Sequence, residues 1–564
     1  MITRGNNFKE FPLNIVGSST FGRYPKISVE KTYNMFMSDE FMVPYAGYAI
    51  GVPSSEFGTA QQGRAIFTST KFNAIVVVMG SNVYLVNITY SQELQKVTFY
   101  QVFRIGALQT QTGVVYIAEN NKPQIGISDG TAFYIYDPTL SPSFQTVPID
   151  FVPGYLTFHD TYFIMPAVGT NTWRLSGNND GLSWPNDQYS VGALQTKPDN
   201  VQAVVRFPSK GNMIFVMGSI VTEAWFDTGA QLFPYQRNNQ FNIDYGCIQP
   251  ATVAYMDEIV VWLAQNEKSG PIIVYSDGGM PRKITTDGID YLFSTLQNPQ
   301  DSQGFLYRQD GHLFYHINFY SDNISLFYDF NTEKFYHASD QNLNYFIAAE
   351  VAFVNNQYYF VTKNNANIFA FDTAFTTYED VDSLGNVTQN EIPRIRICKN
   401  IRTPQQNYSV INDVGFTIES GETNYQQQDL GPIILITQDG AQLVNQGTET
   451  GSLSTQDNND LVTQDGVLMT IQQAVASENF VLIAQQNGNT GFGPLSLPHI
   501  DLSISTDGGA TFGNEWAYVL PPIGYRKNRL MWWQCGIAND FVPQFKFWGM
   551  GRFVATDGVA NIRT

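Results

Sequence analysis

Acid–base chemistry near neutral pH begins with histidine, because imidazole titrates there unperturbed. The 564-residue chain has only five histidines: His159, His312, His316, His337 and His499. His312 and His316 flank Leu313–Tyr315 at a spacing of four. On a strand, that spacing puts both rings on one face, so a metal pair is conceivable. A third ligand is not apparent, and polar residues of the core or surface are the other reading. Nucleophile, phosphate-loop and metalloprotease patterns are missing from the sequence: Gly-x-Ser-x-Gly, a Walker loop, His-Glu-x-x-His and Cys-x-x-Cys. Cys247, Cys398 and Cys535 lie far apart without metal-ligand spacing and are expected to be buried free thiols. No catalytic residue, metal or cofactor is expected.

A turn aspartate carries more information. Ser505, Asp507, Gly509, Thr511 and Phe512 spell Ser-x-Asp-x-Gly-x-Thr-aromatic. That is the pattern of the Asp-box hairpin, in which the aspartate ties down its own turn and the aromatic packs beneath it. An ordinary Asp-Gly turn is the alternative. Ile500–Ser505 alternates apolar and polar residues, as a strand with one buried face does. Asp507-Gly508-Gly509 supplies the positive φ values of a tight hairpin.

The elements that must position such a turn repeat along the chain. An apolar run, a Gly, Asp or Asn turn, and a strand ending near an aromatic-Asp pair recur, with end marks at 87, 137, 227, 277, 329 and 372. In the long interval, Ser176–Trp184 reads as a degenerate Asp box with Asn179 in the aspartate place. A period of roughly 45–50 residues, about four short strands each, is that of a propeller blade. The expectation is an all-β chain: a lead-in over 1–60, then a β-propeller of six or seven blades over 61–380. A pair of β-sandwiches is the alternative. One short helix is expected, at Ile289–Leu296, whose apolar residues recur at i, i+3, i+4 and i+7.

Past Glu391 the texture changes. Ile392–Ile401 alternates Arg394, Arg396 and Lys399 with apolar residues, as a strand with one basic face would. Residues 391–424 and 499–553 are expected to form a C-terminal β-sandwich-like domain. Between them, 425–498 is expected to be an acidic all-β insertion. It holds the near-duplicate hairpin phrases Ile436-Thr437-Gln438-Asp439-Gly440 and Val462-Thr463-Gln464-Asp465-Gly466.

Charge is uneven. The formal net charge is −19, which argues against gripping nucleic acid by its phosphates. From Thr403 through Tyr525 there is no Lys or Arg and there are thirteen acids. A solvated surface is the plain reading, and a calcium site lacks a recognisable loop. The sharper reading is a channel lining, with Asp429, Asp439, Asp457, Asp460 and Asp465 as candidate channel-facing acids. The longest apolar runs, such as Ala74–Met79, are strand-sized, and the first residues lack a signal-peptide core, so a non-secreted, non-spanning chain is expected.

The order of motifs at the C-terminal end adds a resemblance. Gly524-Tyr525, then Arg529-Leu530-Met531-Trp532-Trp533 into Cys535-Gly536, then Asn539-Asp540 and Phe545–Trp548 follow the Asp-Gly hairpin. Upstream stand Tyr33-Asn34-Met35-Phe36, Pro44–Tyr48, and Gly218-Ser219, Thr222-Glu223, Trp225-Phe226 and Thr228-Gly229. This order resembles the tail-hub or tail-nozzle (packaged-DNA stabilisation) proteins of short-tailed bacteriophages; the insertion matches nothing in that family. The resemblance implies a non-enzymatic virion tail protein, made in the host cytoplasm. It implies a ring of copies, six in that family, beneath the portal and its head–tail adaptor ring. The ring would contact tailspikes or tail fibres and a tail needle or tip protein, and pass genomic double-stranded DNA without specific binding. A tail-associated glycan-binding or sialidase-like propeller is the competing reading. The sialidase chemistry needs three converging arginines in a chain with only 31 Lys and Arg.

Overall fold

The computed structural model describes residues 8–22, 30–58, 62–94, 96–207, 210–230, 232–372, 377–381, 387–402, 407–420, 435–436, 442–443, 499–520, 528–549 and 552–563. The chain divides into two compact units, Met1–Thr423 with Pro494–Thr564, and Asn424–Gly493. In the second unit, Leu435–Ile436 pairs antiparallel with Gln442–Leu443.

The first unit is built on seven successive antiparallel sheets spanning 63–107, 116–147, 157–193, 201–243, 246–283, 302–337 and 348–372. They are the blades of a β-propeller. Second strands such as Ala74–Met79, Met213–Gly218 and His312–Phe319 are buried at every position. A strand covered on both faces by neighbouring blades has no solvated face, so it reads as an apolar run rather than an alternation.

The aromatic-Asp marks have a local cause. Asp227 and Asp329 end a third strand, and Asp137 and Asp277 directly follow one. The four carboxylates of Asp137, Asp227, Asp277 and Asp329 each accept the backbone N–H two residues ahead, at 2.9, 2.8, 3.1 and 2.9 Å. Such side chains mimic a backbone turn. A second mark is less visible in sequence: Asp160, Asp257, Asp310 and Asn355 take left-handed φ of 50–55° between first and second strands. Asp and Asn tolerate that region better than other non-glycine residues.

Ring closure corrects the expectation that 1–60 lies outside the repeat. Gly47–Val52 pairs antiparallel with Ile368–Asp372, so the chain's early residues supply the seventh blade's fourth strand. The first blade's inner strand then meets the seventh's. The Ile66 N–H donates to Glu350 at 3.0 Å, and Thr68 Oγ1 donates to the Phe353 carbonyl at 3.0 Å. Closure removes the open sheet edges that an unclosed array would leave.

The rest of the early segment belongs to a β-sandwich. Phe8–Leu13, Met35–Ser38 and Phe41–Pro44 join Ser409–Ser420, Asn528–Ala538 and Phe553–Arg563 in a six-stranded sheet. The facing sheet is an extension of the sixth blade. From Lys334–His337 it continues through Lys31–Tyr33, Arg394–Ile397, Asp540–Trp548, His499–Ser505 and Trp516–Val519. Leu13, Ile15, Met42, Phe416, Leu502, Trp532, Phe545 and Ile562 pack between the sheets. One continuous ladder therefore couples propeller and sandwich, and the C-terminal strand runs to Arg563, past the expected boundary at 553.

The one α-helix among the described residues is Asp287–Ser294, starting two residues before the expected Ile289. Asp287 and Asp290 sit in its first turn, where the helix dipole favours acids, while Ile289 and Phe293 are buried.

Candidate functional site

The Asp507 turn lies in the sandwich, at the end of His499–Ser505. Ser505 is buried, and its hydroxyl donates to Asp507 Oδ1 at 2.6 Å while accepting the Gly509 N–H at 2.8 Å. Asp507 Oδ1 also accepts the N–H groups of Ala510 and Thr511 at 3.0 Å, and Oδ2 accepts the Thr511 hydroxyl at 2.7 Å. Gly508 and Gly509 hold φ of 76° and 93°. These donors, the Ser505 hydroxyl first, keep the carboxyl well below the ordinary aspartate range. Its acceptor capacity is spent on its own hairpin. Phe512 is half-buried and lines an open cleft of about 330 Å³ with Thr506, Thr511, Asn514 and Trp516. The degenerate box at 176–184 works differently from the expectation. Asp180 accepts the Leu182 N–H at 3.1 Å, whereas the Asn179 side chain donates to Asn178.

The paired histidines are occupied by protein partners. His312 Nδ1 meets Asp329 at 2.9 Å and its Nε2 meets the Ser38 hydroxyl at 3.2 Å. His316 Nε2 lies 2.6 Å from the Tyr45 hydroxyl, with the ring stacked between Phe305 and Phe327. Burial pushes the His316 pKa down to about 3, so it is a neutral core ring at physiological pH. The described residues contain no group of three His, Cys, Asp or Glu arranged for a metal. All three cysteines are buried and free, with their thiols pushed up to about 12 by burial.

The basic face read over 392–401 is not a solvent face. Lys399 is exposed, but Arg394 is 2% exposed and Arg396 is 0% exposed. Arg394 Nη2 donates to the Tyr45 carbonyl at 3.1 Å. Arg396 binds the early segment from five directions. It donates to the carbonyls of Ile15, Asn14 and Ser18 at 2.8, 3.0 and 3.1 Å, to Thr32 Oγ1 at 3.0 Å, and to Glu30. Gly17 is needed there, because a Cβ would stand 2.0 Å from Arg396 Nη2. Arg64 clamps the first two blades similarly, donating to the carbonyls of Gly80, Thr110, Thr112 and Gly113 at 2.8–2.9 Å. Guanidinium groups suit this work because five donors radiate from one plane. Alternating Arg and Ile could not distinguish carbonyl-binding arginines from solvated ones.

Two acids also escaped sequence reasoning. Glu223 is fully buried and accepts the N–H groups of Gln195 and Thr196 at 2.8 and 2.6 Å and the Trp225 indole at 3.0 Å. The Thr222-Glu223 and Trp225 motif thus ties the segment between the third and fourth blades to the fourth blade's third strand. Glu350, on the seventh blade's inner strand, latches the first blade through Ile66. Desolvation raises its pKa to about 8.

The candidate channel-facing acids Asp429, Asp439, Asp457, Asp460 and Asp465 lie outside the described residues. Of the acids between Thr403 and Tyr525 that are described, most have structural partners. Asp413 accepts from Asn561 at 2.7 Å, Asp501 accepts the Trp548 indole at 2.8 Å, and Glu515 pairs with Lys546. No helix among the described residues is long and apolar enough to cross a membrane.

A family model described as "Bacteriophage P22 Gp10, beta-propeller" matches residues 45–376. That span begins just before the strand that closes the ring and ends just past the seventh blade. No curated protein matches the chain. Solved structures include a streptogramin B lyase, 8% identical over 58% of this chain and 97% of that one, with a TM-score of 0.37. Virginiamycin B lyase from Staphylococcus aureus is 8% identical over 56% and 96%, TM-score 0.37. The N-terminal domain of Nup159 is 11% identical over 60% and 98%, TM-score 0.34. Likenesses at that level carry no functional argument.

Proposed function

Because the chain belongs to the β-propeller family of Bacteriophage P22 Gp10, a phage packaged-DNA stabilisation family, we propose that it is a tail hub or nozzle subunit. The family match over the whole propeller carries this reading. Copies of the chain form a ring, six in number, below the portal and its head–tail adaptor. The ring extends the DNA channel, helps to retain the packaged genome, and offers attachment to tailspikes or fibres and to a needle or tip protein. The protein resides in the virion tail after synthesis in the host cytoplasm and works without catalysis or cofactor. The fates of Arg64, Arg394 and Arg396 support the non-enzymatic side, since these guanidinium groups bind backbone carbonyls rather than converging on a substrate carboxylate.

The mechanism follows from charge. A wall past which DNA must slide should avoid Lys and Arg, each of which adds a salt-dependent phosphate contact. The 123 residues from Thr403 to Tyr525 contain neither. Ring symmetry multiplies every lumenal acid by the number of subunits. Exchanging Asp439, Asp457 and Asp465 for lysine in the virion should leave tail assembly intact and slow DNA ejection, most at low salt where screening is weak. Ejection rates equal to wild type at low salt would remove the channel reading and leave these acids as a solubilising surface.

A further inference from the structure

One side of the six-stranded sheet has no further strand among the described residues. Asn528–Ala538 is the terminal strand of that sheet, paired along one edge with Ser409–Ser420; the sheet order places no described strand beyond it. Its core-facing residues Leu530, Trp532 and Cys535 are buried, while Trp533 and Ile537 are 65% and 60% exposed. Ile537 stands opposite Val410, which is 42% exposed, and Tyr408 beside it is 76% exposed. An aromatic side chain presents about 150–250 Å² when fully exposed. These four residues therefore offer apolar surface on the order of 400 Å², in the range of patches that mark interaction sites. The strand itself is bulged, with Gln534 and Gly536 at φ of 59° and 106° and a register shift between Ile411 and Asp413 on its neighbour, so the apolar patch rather than a regular sheet edge is what a partner would meet.

We propose that this patch forms the contact between copies of this chain; the proposal rests on the ring reading above. Two observations favour a second copy as the occupant. The patch supplies about half of the roughly 800 Å² per partner that a stable interface needs. In addition, a chain of net charge −19 repels its own copies over most of its surface, whereas Asn528–Ala538 carries Arg529 and no acid. On the paired strand, Asp413 opposite Trp533 is 3% exposed and already accepts from Asn561 and Asn412, and the exposed Glu419 stands at the far end, beyond Ile418 opposite Asn528. Copies can therefore approach through Trp533 and Ile537 without burying an acid of this strand.

The test is sedimentation velocity of the full chain across a concentration series, for wild type, the double variant Trp533→Ser/Ile537→Ser, and the control Phe99→Ser/Phe103→Ser. Phe99 and Phe103 are 55% and 44% exposed on the outer strand of the first blade, so the control removes exposed aromatics elsewhere. Wild type and control should associate alike, and the Trp533 variant should need at least tenfold higher concentration. Amides of 528–538 should exchange more slowly in assembled than in dilute wild-type protein, which checks the interface without any substitution. Assembly of the Trp533 variant at wild-type concentration, or unchanged exchange at 528–538 in the assembled protein, overturns the interface while leaving the ring intact. A wild type that stays monomeric throughout overturns both.

Discussion

Replacing Arg396 by methionine keeps most of the side chain's length and removes every donor. Four neutral acceptors and the Glu30 carboxylate then lose their partner. They differ in how much water can replace it. Ile15 and Thr32 are buried, Ser18 is half-buried and Asn14 is exposed. A stranded buried acceptor costs about 1–3 kcal/mol, and breaking a buried ion pair from one side costs about 3–5 kcal/mol. Because the same guanidinium serves all of them, the costs overlap rather than add, and roughly 3–6 kcal/mol is expected. That is a large share of the ~5–15 kcal/mol by which domains are stable. The loss should fall first on the segment that Arg396 holds, around 14–20 and 30–33. Hydrogen-exchange mass spectrometry should show opening there increased by about 10²–10⁴-fold, at ~1.4 kcal/mol per decade. The fourth blade should be unaffected. Gly17→Ala should reproduce the pattern with Arg396 intact, because its Cβ would occupy the guanidinium's position. Wild-type exchange in both variants would refute the idea that this arginine fastens the early segment to the sandwich.

Two other substitutions probe the carboxylates. Glu350 has a folded pKa near 8 against an ordinary value of 4.5, so the folded state holds the proton more tightly across that window. Stability from this group is full below about pH 4.5 and declines as pH rises towards 8. Glu350→Gln keeps an acceptor for the Ile66 N–H and removes the ionisation; in urea titrations it should therefore gain on wild type between pH 5 and pH 9. The gain is bounded at roughly 5 kcal/mol and reduced by whatever solvent reaches the group; a parallel pH dependence in the two proteins would refute the assignment. Asp507→Ala should lower the melting temperature by unfastening the 505–511 hairpin while leaving ring assembly unchanged. Wild-type melting with altered assembly would make Asp507 a contact residue instead.

How much was legible in the sequence follows from which interactions are local. Blade period, strand count and the all-β class were readable because each blade closes its turns with its own residues. Asp137, Asp227, Asp277 and Asp329 reach only two residues ahead, so their pattern survives in the linear order. The Asp507 hairpin is equally local: residues 505–511 contain every donor to its carboxylate.

Ring closure and the sandwich were decided at long range. Tyr48 pairs with Phe371, Lys31–Tyr33 inserts beside Lys334–His337, and Arg396 grips carbonyls more than 370 residues upstream. A strand such as Arg394–Ile397 has the same alternation whether its arginines face water or buried carbonyls. Only the arrival of a distant segment determines which. Glu350 is similar: nothing beside it in the chain raises its pKa, and burial against the first blade does so once the ring has closed. The sequence by itself therefore determined the repeating unit and its turns. The tertiary structure decided that seven units close, that the early residues complete both the last blade and the sandwich, and that the interior charges serve as fasteners, because each depends on which distant backbone groups are brought out of water together.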